Sequence, residues 1–282
     1  WHGCINLMKG AIDYSDYIST VSPTYAKEIC TSEYAHGLED VLNKNKHKLR
    51  GILNGIDYDV YDPAKSKSLF VNYSATSLEK KAENKQELQK MLGLNVDAGA
   101  PLIAMITRLV NHKGISLVRS AFNDIMNSGA QFVILGTGDA DHENFFRHMQ
   151  NLYGNRVHAV ITFNKDLAQK IYAGADIFLM PSLSEPCGLS QMIALRYGTV
   201  PVVRTTGGLK DSIEDCGDGK TGNGFTFSGA NAGELKHAVD RAVGLYCVYG
   251  DIWKGLRERA AKCDFSWTES AIKYQAFYDE MF

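Results

Sequence analysis

Between residues 100 and 204, short apolar runs at 102–107, 131–135, 157–162, 176–180 and 200–203 alternate with stretches of helical length at 113–126, 139–152, 165–173 and 189–197. Runs that are apolar on both faces and separated by helices imply a parallel sheet covered on both sides. The expected fold class is therefore α/β, a doubly wound, Rossmann-like domain. In such sheets ligands bind beyond the carboxyl ends of the strands, near the point where strand order reverses. Each motif singled out below from residue 108 onward and ahead of the final helix directly follows a predicted strand.

The first fifty residues follow a different pattern. A helix is expected over 4–17, a short strand over 18–22, a helix over 24–29 and a strand over 49–53, followed by Asn54-Gly55-Ile56-Asp57, Pro63 and a serine-rich stretch. This divides the chain into 1–50, part of another domain with its linker, a 51–265 binding domain, and a 266–282 helix. Ser266 and Glu269 have capping-box spacing at the start of that helix, and Trp267, Tyr274, Phe277, Tyr278 and Phe282 predict packing on something apolar. The charged stretch 79–90 mixes both signs at helical spacing and reads as a solvated helix face.

Thirty basic against thirty-two acidic residues leave a net charge of -2, with no basic block suited to a nucleic-acid backbone. Nucleic acid is not an expected partner. The six cysteines (Cys4, Cys30, Cys187, Cys216, Cys247 and Cys263) form no C-x-x-C pair and the eight histidines no ligand pair, so neither a metal site nor a disulfide framework is expected. No apolar run approaches the roughly 20 residues that span a bilayer, and no leader precedes the first domain. A soluble, cytoplasmic protein is expected. The chain opens on Trp1 rather than methionine, which suggests that a preceding domain is missing.

Several residues could carry chemistry. Arg108 and Lys113 flank a turn after the first long strand, and two cations meeting at one point would neutralise a diphosphate, each charge-assisted hydrogen bond contributing about 1.5–3 kcal/mol. Gly136-Thr137-Gly138-Asp139 is a glycine turn into a helix, which serves either a ligand or backbone geometry alone. It lacks the third glycine of the dinucleotide fingerprint, that position being Asp141. Phe163, at a strand end, could stack on a nucleobase or belong to the core. Glu185-Pro186-Cys187-Gly188-Leu189-Ser190 places a carboxylate one turn before a helix start, where unpaired amides accept phosphate oxygens. A carboxylate there would repel phosphate unless it served a sugar or partnered the helix dipole. The helix start could also lower the Cys187 thiol pKa. Thr206-Gly207-Gly208 opens another helix in the same way.

Together these residues resemble the bacterial-type glycogen and starch synthases, retaining glycosyltransferases of the two-domain GT-B architecture. The resemblance runs from Val21-Ser22-Pro23-Thr24-Tyr25 through Asn54-Gly55-Ile56-Asp57, Arg108 with Lys113-Gly114, and Glu185 to Gln191, to Phe265-Ser266-Trp267. It implies one half of a GT-B enzyme that binds ADP-glucose and extends an α-1,4-glucan without a metal or other cofactor. By that resemblance Arg108 and Lys113 hold the diphosphate, Phe163 stacks on adenine, and Glu185 contacts the transferred glucose. The amides of Cys187, Gly188 and Leu189 and the hydroxyl of Ser190 line the same pocket, Asn54 faces the sugar, and Thr206, Gly207 and Gly208 form a further donor-facing loop.

The sequence departs from the wider pattern in two places. Ile193 stands where related transferases often carry a second glutamate, which fits the synthase branch, and Leu183-Ser184 replaces a common arginine-phenylalanine pair. The first domain's lysine-threonine-glycine-glycine loop and active-site histidine are not in this sequence, and His2 does not match that histidine. The alternatives are another nucleotide-sugar glycosyltransferase or a non-catalytic nucleotide-sugar-binding module.

Overall fold

The computed structural model describes residue 3 and residues 5–281. Trp1, His2, Cys4 and Phe282, each used in the expectations above, lie outside the described residues. The leading segment carries α1 (Leu7–Tyr14), β1 (Ile18–Thr20), α2 (Pro23–Glu28), α3 (Glu39–Lys44) and β2 (Leu49–Gly51). After a long irregular stretch come α4 (Lys81–Met91), β3 (Leu102–Ile106), α5 (Ile115–Asn127), β4 (Gln131–Leu135), α6 (Ala140–Tyr153), β5 (Val157–Val160) and α7 (Lys165–Gly174). The second half holds β6 (Ile177–Met180), α8 (Ser190–Arg196), β7 (Val200–Arg204), α9 (Gly207–Ser212) and β8 (Phe225–Phe227). Three helices, α10 (Ala232–Val248), α11 (Gly250–Lys262) and α12 (Trp267–Asp279), finish it.

Six strands form one parallel sheet in the order β5-β4-β3-β6-β7-β8. The chain runs outward from β3 to β5 and then returns to lay β6 on the other side of β3, so the strand order reverses between β3 and β6. Alternation along β3 supplies both layers: Ile103 and Met105 join a core with Phe122, Phe132 and Phe146, while Leu102 and Ala104 join one with Leu88, Tyr172 and Tyr197. This is the doubly wound arrangement expected from the apolar runs.

The leading segment pairs β1 with β2 in a separate parallel sheet and has its own small core of Ile12, Ala35, Val41 and Leu42. It meets the larger sheet through α2, which packs on α9, and through α12. Ser270 donates a hydrogen bond to the Leu53 carbonyl at 2.7 Å, and the Phe277 ring meets Tyr17 edge-on at 5.7 Å. Phe277 is the buried aromatic of α12; Trp267 and Tyr278 remain about half exposed. Ser266 starts α12 but makes no side-chain cap, and its N–H, which Glu269 would accept in a capping box, is taken by Asp264 at 2.8 Å. The capping box does not form.

The solvated-face reading of 79–90 needs correction. Lys81 is 2% exposed, and its ammonium donates to the carbonyls of Tyr172 and Ala173 and to the Thr199 hydroxyl at 2.6–2.8 Å. Those carbonyls end α7, where the helix dipole favours a cation. Burial nevertheless pushes the Lys81 pKa well below its ordinary value. Lys85 is also buried and pairs with Asp176 at 2.7 Å. Burial opposes that charge, but Asp176 and Tyr246 outweigh it and raise the Lys85 pKa.

Candidate active site

The site lies where the fold predicts it, beyond the carboxyl ends of β3, β4, β5 and β6. After β3 the chain keeps pairing with the chain after β4: Leu109 donates to the Thr137 carbonyl at 2.9 Å, and Asp139 donates to Leu109 at 2.8 Å. Two glycines allow this approach. A Cβ on Gly136 would stand 1.8 Å from the Thr107 oxygen, and one on Gly138 2.2 Å from the Leu109 oxygen. Backbone packing therefore accounts for both glycines, and Gly138 additionally gives its N–H to Glu143 at 3.0 Å.

The turn that follows is tied to the loop after β6. Gly114 has a left-handed φ of 73°, and a Cβ there would fall 2.0 Å from the Pro181 oxygen, so only glycine fits. Leu183 donates to the His112 carbonyl at 2.9 Å. Together these contacts bring Lys113 to Glu185: the ammonium donates to Oε2 at 2.6 Å, and the Ser182 hydroxyl donates to the same oxygen at 2.9 Å. The pair is mostly buried, with side chains 17% and 8% exposed. The two cations of the turn thus point to different places. Lys113 neutralises Glu185, whereas the exposed Arg108 lies 3.4 Å from His112 Nε2. Burial, and then the charges of Lys113 and Arg108, lower the His112 pKa.

A cavity of about 450 Å³ opens between the same two loops, with neither Lys113 nor Glu185 among its lining residues. Arg108, Gly136, Phe163, Leu189 and Ser190 all line it, so five of the residues singled out in the sequence share one space. Phe163 is 81% exposed at its edge, leaving a ring face available. Ser190 hydrogen-bonds the buried Tyr172 hydroxyl, whose pKa burial raises strongly. Among the described residues no side chain caps the start of α8. Gly188 turns the chain into that helix with φ 69°, where a Cβ would stand 2.6 Å from Gln191 Oε1.

The other named residues lie around this space. Cys187 is buried, and burial raises its thiol pKa despite the helix start. The backbone N–H of Asn54 approaches its sulfur, which places Asn54 against the loop, and Asn54 is not among the residues lining the cavity. Thr206, Gly207 and Gly208 are buried beneath the loop and do not line the cavity. Gly207 gives its N–H to Glu28 at 2.9 Å, and Gly208 gives its own to the Glu185 carbonyl at 3.1 Å. The protein's own oxygens occupy the donors expected to face a ligand.

Sequence reasoning passed over Tyr61, Gln169 and Tyr172 in the cavity wall and Ser182 beneath Glu185. Tyr172 carried a signal, since it lies among the apolar residues of α7 with a hydroxyl that burial obliges to find a partner. Ser182 carried none. Among the described residues no three His, Cys, Asp or Glu side chains gather as they would around a metal ion, and no helix is long and apolar enough to cross a membrane.

Comparison with known proteins gives a consistent picture. The family described as glycosyl transferases group 1 matches residues 85–246, and the starch synthase catalytic domain matches residues 1–44. The chain is 50% identical over 281 residues to a glycogen synthase of Thermosipho melanesiensis and 46% identical over 282 residues to one of Geobacillus stearothermophilus. These matches cover 99% and 100% of this chain but 58% of each relative, so the chain spans somewhat over half their length. Among solved structures it resembles the catalytic domain of starch synthase IV from Arabidopsis thaliana bound to ADP and acarbose, with TM-score 0.92 and 40% identity over 98% of this chain and 58% of that one. A sucrose-phosphate synthase from Thermosynechococcus elongatus, TM-score 0.67 and 18% identical over 98% of this chain and 61% of that one, shares the fold. With more than half of its residues matched by the family model, and with a doubly wound sheet whose reversal point holds the cavity, the chain belongs to the group 1 glycosyl transferases.

Proposed function

We propose that this chain is the nucleotide-sugar-binding part of a glycogen or starch synthase, which moves glucose from ADP-glucose to the non-reducing end of an α-1,4-glucan with retention of configuration. The observation that carries this reading is the single cavity bordered by the free face of Phe163, by Arg108 and by the uncapped start of α8, with the Lys113–Glu185 pair beside it. In this reading adenine stacks on Phe163, and Arg108 with the α8 amides takes the diphosphate. An ammonium has three donors, so Lys113 can hold Glu185 and still reach a phosphate oxygen. Its charge lets a carboxylate stand close to the donor without repelling it, leaving Glu185 to accept sugar hydroxyls. Charge growing on the leaving diphosphate then meets cations already in place.

The starch synthase structure bound to ADP and acarbose supports an adenine nucleotide as donor. Ile193, an apolar part of the cavity wall, supports a glucan synthase over transferases with a second carboxylate at that position. In the same reading the glucan is bound mainly by the stretch of the relatives that this chain does not span. No metal or other cofactor is assigned a step. The five described cysteines are free thiols, which supports work in the reducing cytoplasm.

Calorimetric titration of the 282-residue chain with ADP-glucose and UDP-glucose tests the reading. ADP-glucose is expected to bind more tightly, and Lys113→Ala to weaken it by about tenfold or more, one lost charge-assisted contact. No binding of either donor would overturn the assignment. Binding without glucan extension, once the remaining stretch of a relative is supplied, would select the non-catalytic module.

A further inference from the structure

We propose that Glu28 is a positioning residue for Glu185, holding from behind the loop that carries it. Glu28 ends α2, and its Oε1 accepts from the Gly207 N–H at 2.9 Å and from the Thr206 hydroxyl at 3.0 Å. The 206–208 turn has no slack toward the site. A Cβ on Gly207 would lie 2.0 Å from the Glu185 oxygen, one on Gly208 would lie 1.9 Å from the Cys187 oxygen, and Gly208 donates to the Glu185 carbonyl. Displacing the turn therefore displaces the backbone of residues 185–187.

The hold is reciprocal. Asp211 of α9 accepts from the Ser22 hydroxyl at 2.5 Å, the Thr24 N–H at 2.9 Å and the Thr24 hydroxyl at 2.6 Å. Each helix start is thus closed by a carboxylate from the other helix, and the leading segment is fixed to the loop beneath Glu185. The second oxygen of Glu28, Oε2, is buried with no hydrogen-bond partner among the described residues. Burying an unpaired carboxylate oxygen is costly, so packing alone does not explain a glutamate here.

Glu28 touches no part of the cavity, so it acts only through the turn. Its removal should disturb the contact with the transferred sugar more than the nucleotide, whose base stacks on Phe163 and whose diphosphate Arg108 shares with the α8 amides. That consequence rests on the proposed nucleotide-sugar reading; the mechanical link to residues 185–187 does not. The experiment therefore has two arms on the full chain, comparing wild type with Glu28→Ala and Glu28→Gln.

Amide hydrogen exchange without ligand reads the link. Glu28→Ala should speed exchange at Gly207, Gly208 and residues 185–189, and Glu28→Gln, which keeps an acceptor in place, should restore most of the protection. Calorimetry with ADP-glucose and with ADP reads the consequence. The affinity ratio of ADP-glucose to ADP should fall by about tenfold in Glu28→Ala, the size of one lost charge-assisted hydrogen bond, with ADP-glucose affinity falling more than ADP affinity and the ratio recovered in Glu28→Gln. Faster exchange confined to Gly207 with an unchanged ratio would make Glu28 a local cap and overturn the proposal. A wild-type chain that bound neither ligand would overturn the nucleotide-sugar reading, and the exchange pattern would still decide the link.

Discussion

Two lysine–carboxylate pairs of nearly equal length stand at opposite ends of the same sheet. Lys85 meets Asp176 at 2.7 Å before the strands begin, and Lys113 meets Glu185 at 2.6 Å after they end. The first pair is closed off by further partners: Lys85 also donates to the Ala100 carbonyl and the Tyr246 hydroxyl, and Asp176 accepts the Leu102 N–H at 2.9 Å. Among the described residues the second has one further side-chain hydrogen bond, from Ser182, and its two loops border a cavity. Distance and charge do not separate the structural pair from the one proposed to be functional. Unspent donors and the end of the sheet on which the pair sits do.

The largest effect that could break this comparison is on stability. Lys85→Met strands the Asp176 carboxylate in the core, and should lower unfolding free energy by about 3–5 kcal/mol in urea denaturation. Donor affinity of the folded protein should stay at the wild-type value. A loss below about 1 kcal/mol would mean that the amino-end pair is no more structural than an exposed one.

At the other end of the sheet, Phe163→Ala should do the reverse. The ring is 81% exposed, so stability should stay within about 0.5 kcal/mol of wild type, while ADP-glucose affinity falls by about tenfold or more from lost stacking. Unchanged affinity would remove Phe163 from the donor site.

A third pair sharpens the contrast at its weakest point. Burial raises the Asp215 pKa, but hydrogen bonds from Arg241, Gly217 and Thr226 outweigh it and hold the carboxyl at about 2, against an ordinary 3.8. Its stabilising contribution is then complete above about pH 4 and disappears as pH falls through about 2. Because the Asp215 side chain is still 31% exposed, solvent screening should keep the effect within about 1 kcal/mol. Thermal unfolding of wild type and Asp215→Asn across that window should show the difference shrinking on the acid side; a constant difference would contradict it.

The strands at 131–135 and around 102 and 200 were legible because inner strands of a covered sheet are apolar on both faces. The same reading passed over β8, whose three residues Phe225-Thr226-Phe227 are too short to display a period and follow a glycine-rich stretch. It also misplaced Lys81 and Lys85, since charge at helical spacing looks solvated until a carbonyl cluster or a carboxylate is found in space. That Phe163 and Arg108 border the cavity was legible from their places after strands. The 206–208 turn was not, because a glycine pair opening a helix looks the same whether its amides receive a phosphate or the chain's own glutamate.

The clasp between α2 and α9 also sets an order of events during synthesis. Thr24 and the aspartate that closes its helix lie 187 residues apart, and at about 5–20 residues per second a ribosome separates them by roughly 10–40 s. Through that interval the nascent leading segment has water in place of Asp211, and Glu28 has no turn to hold. The segment and the loop beneath Glu185 thus mature together, late, and translation halted before Asp211 leaves both unfinished.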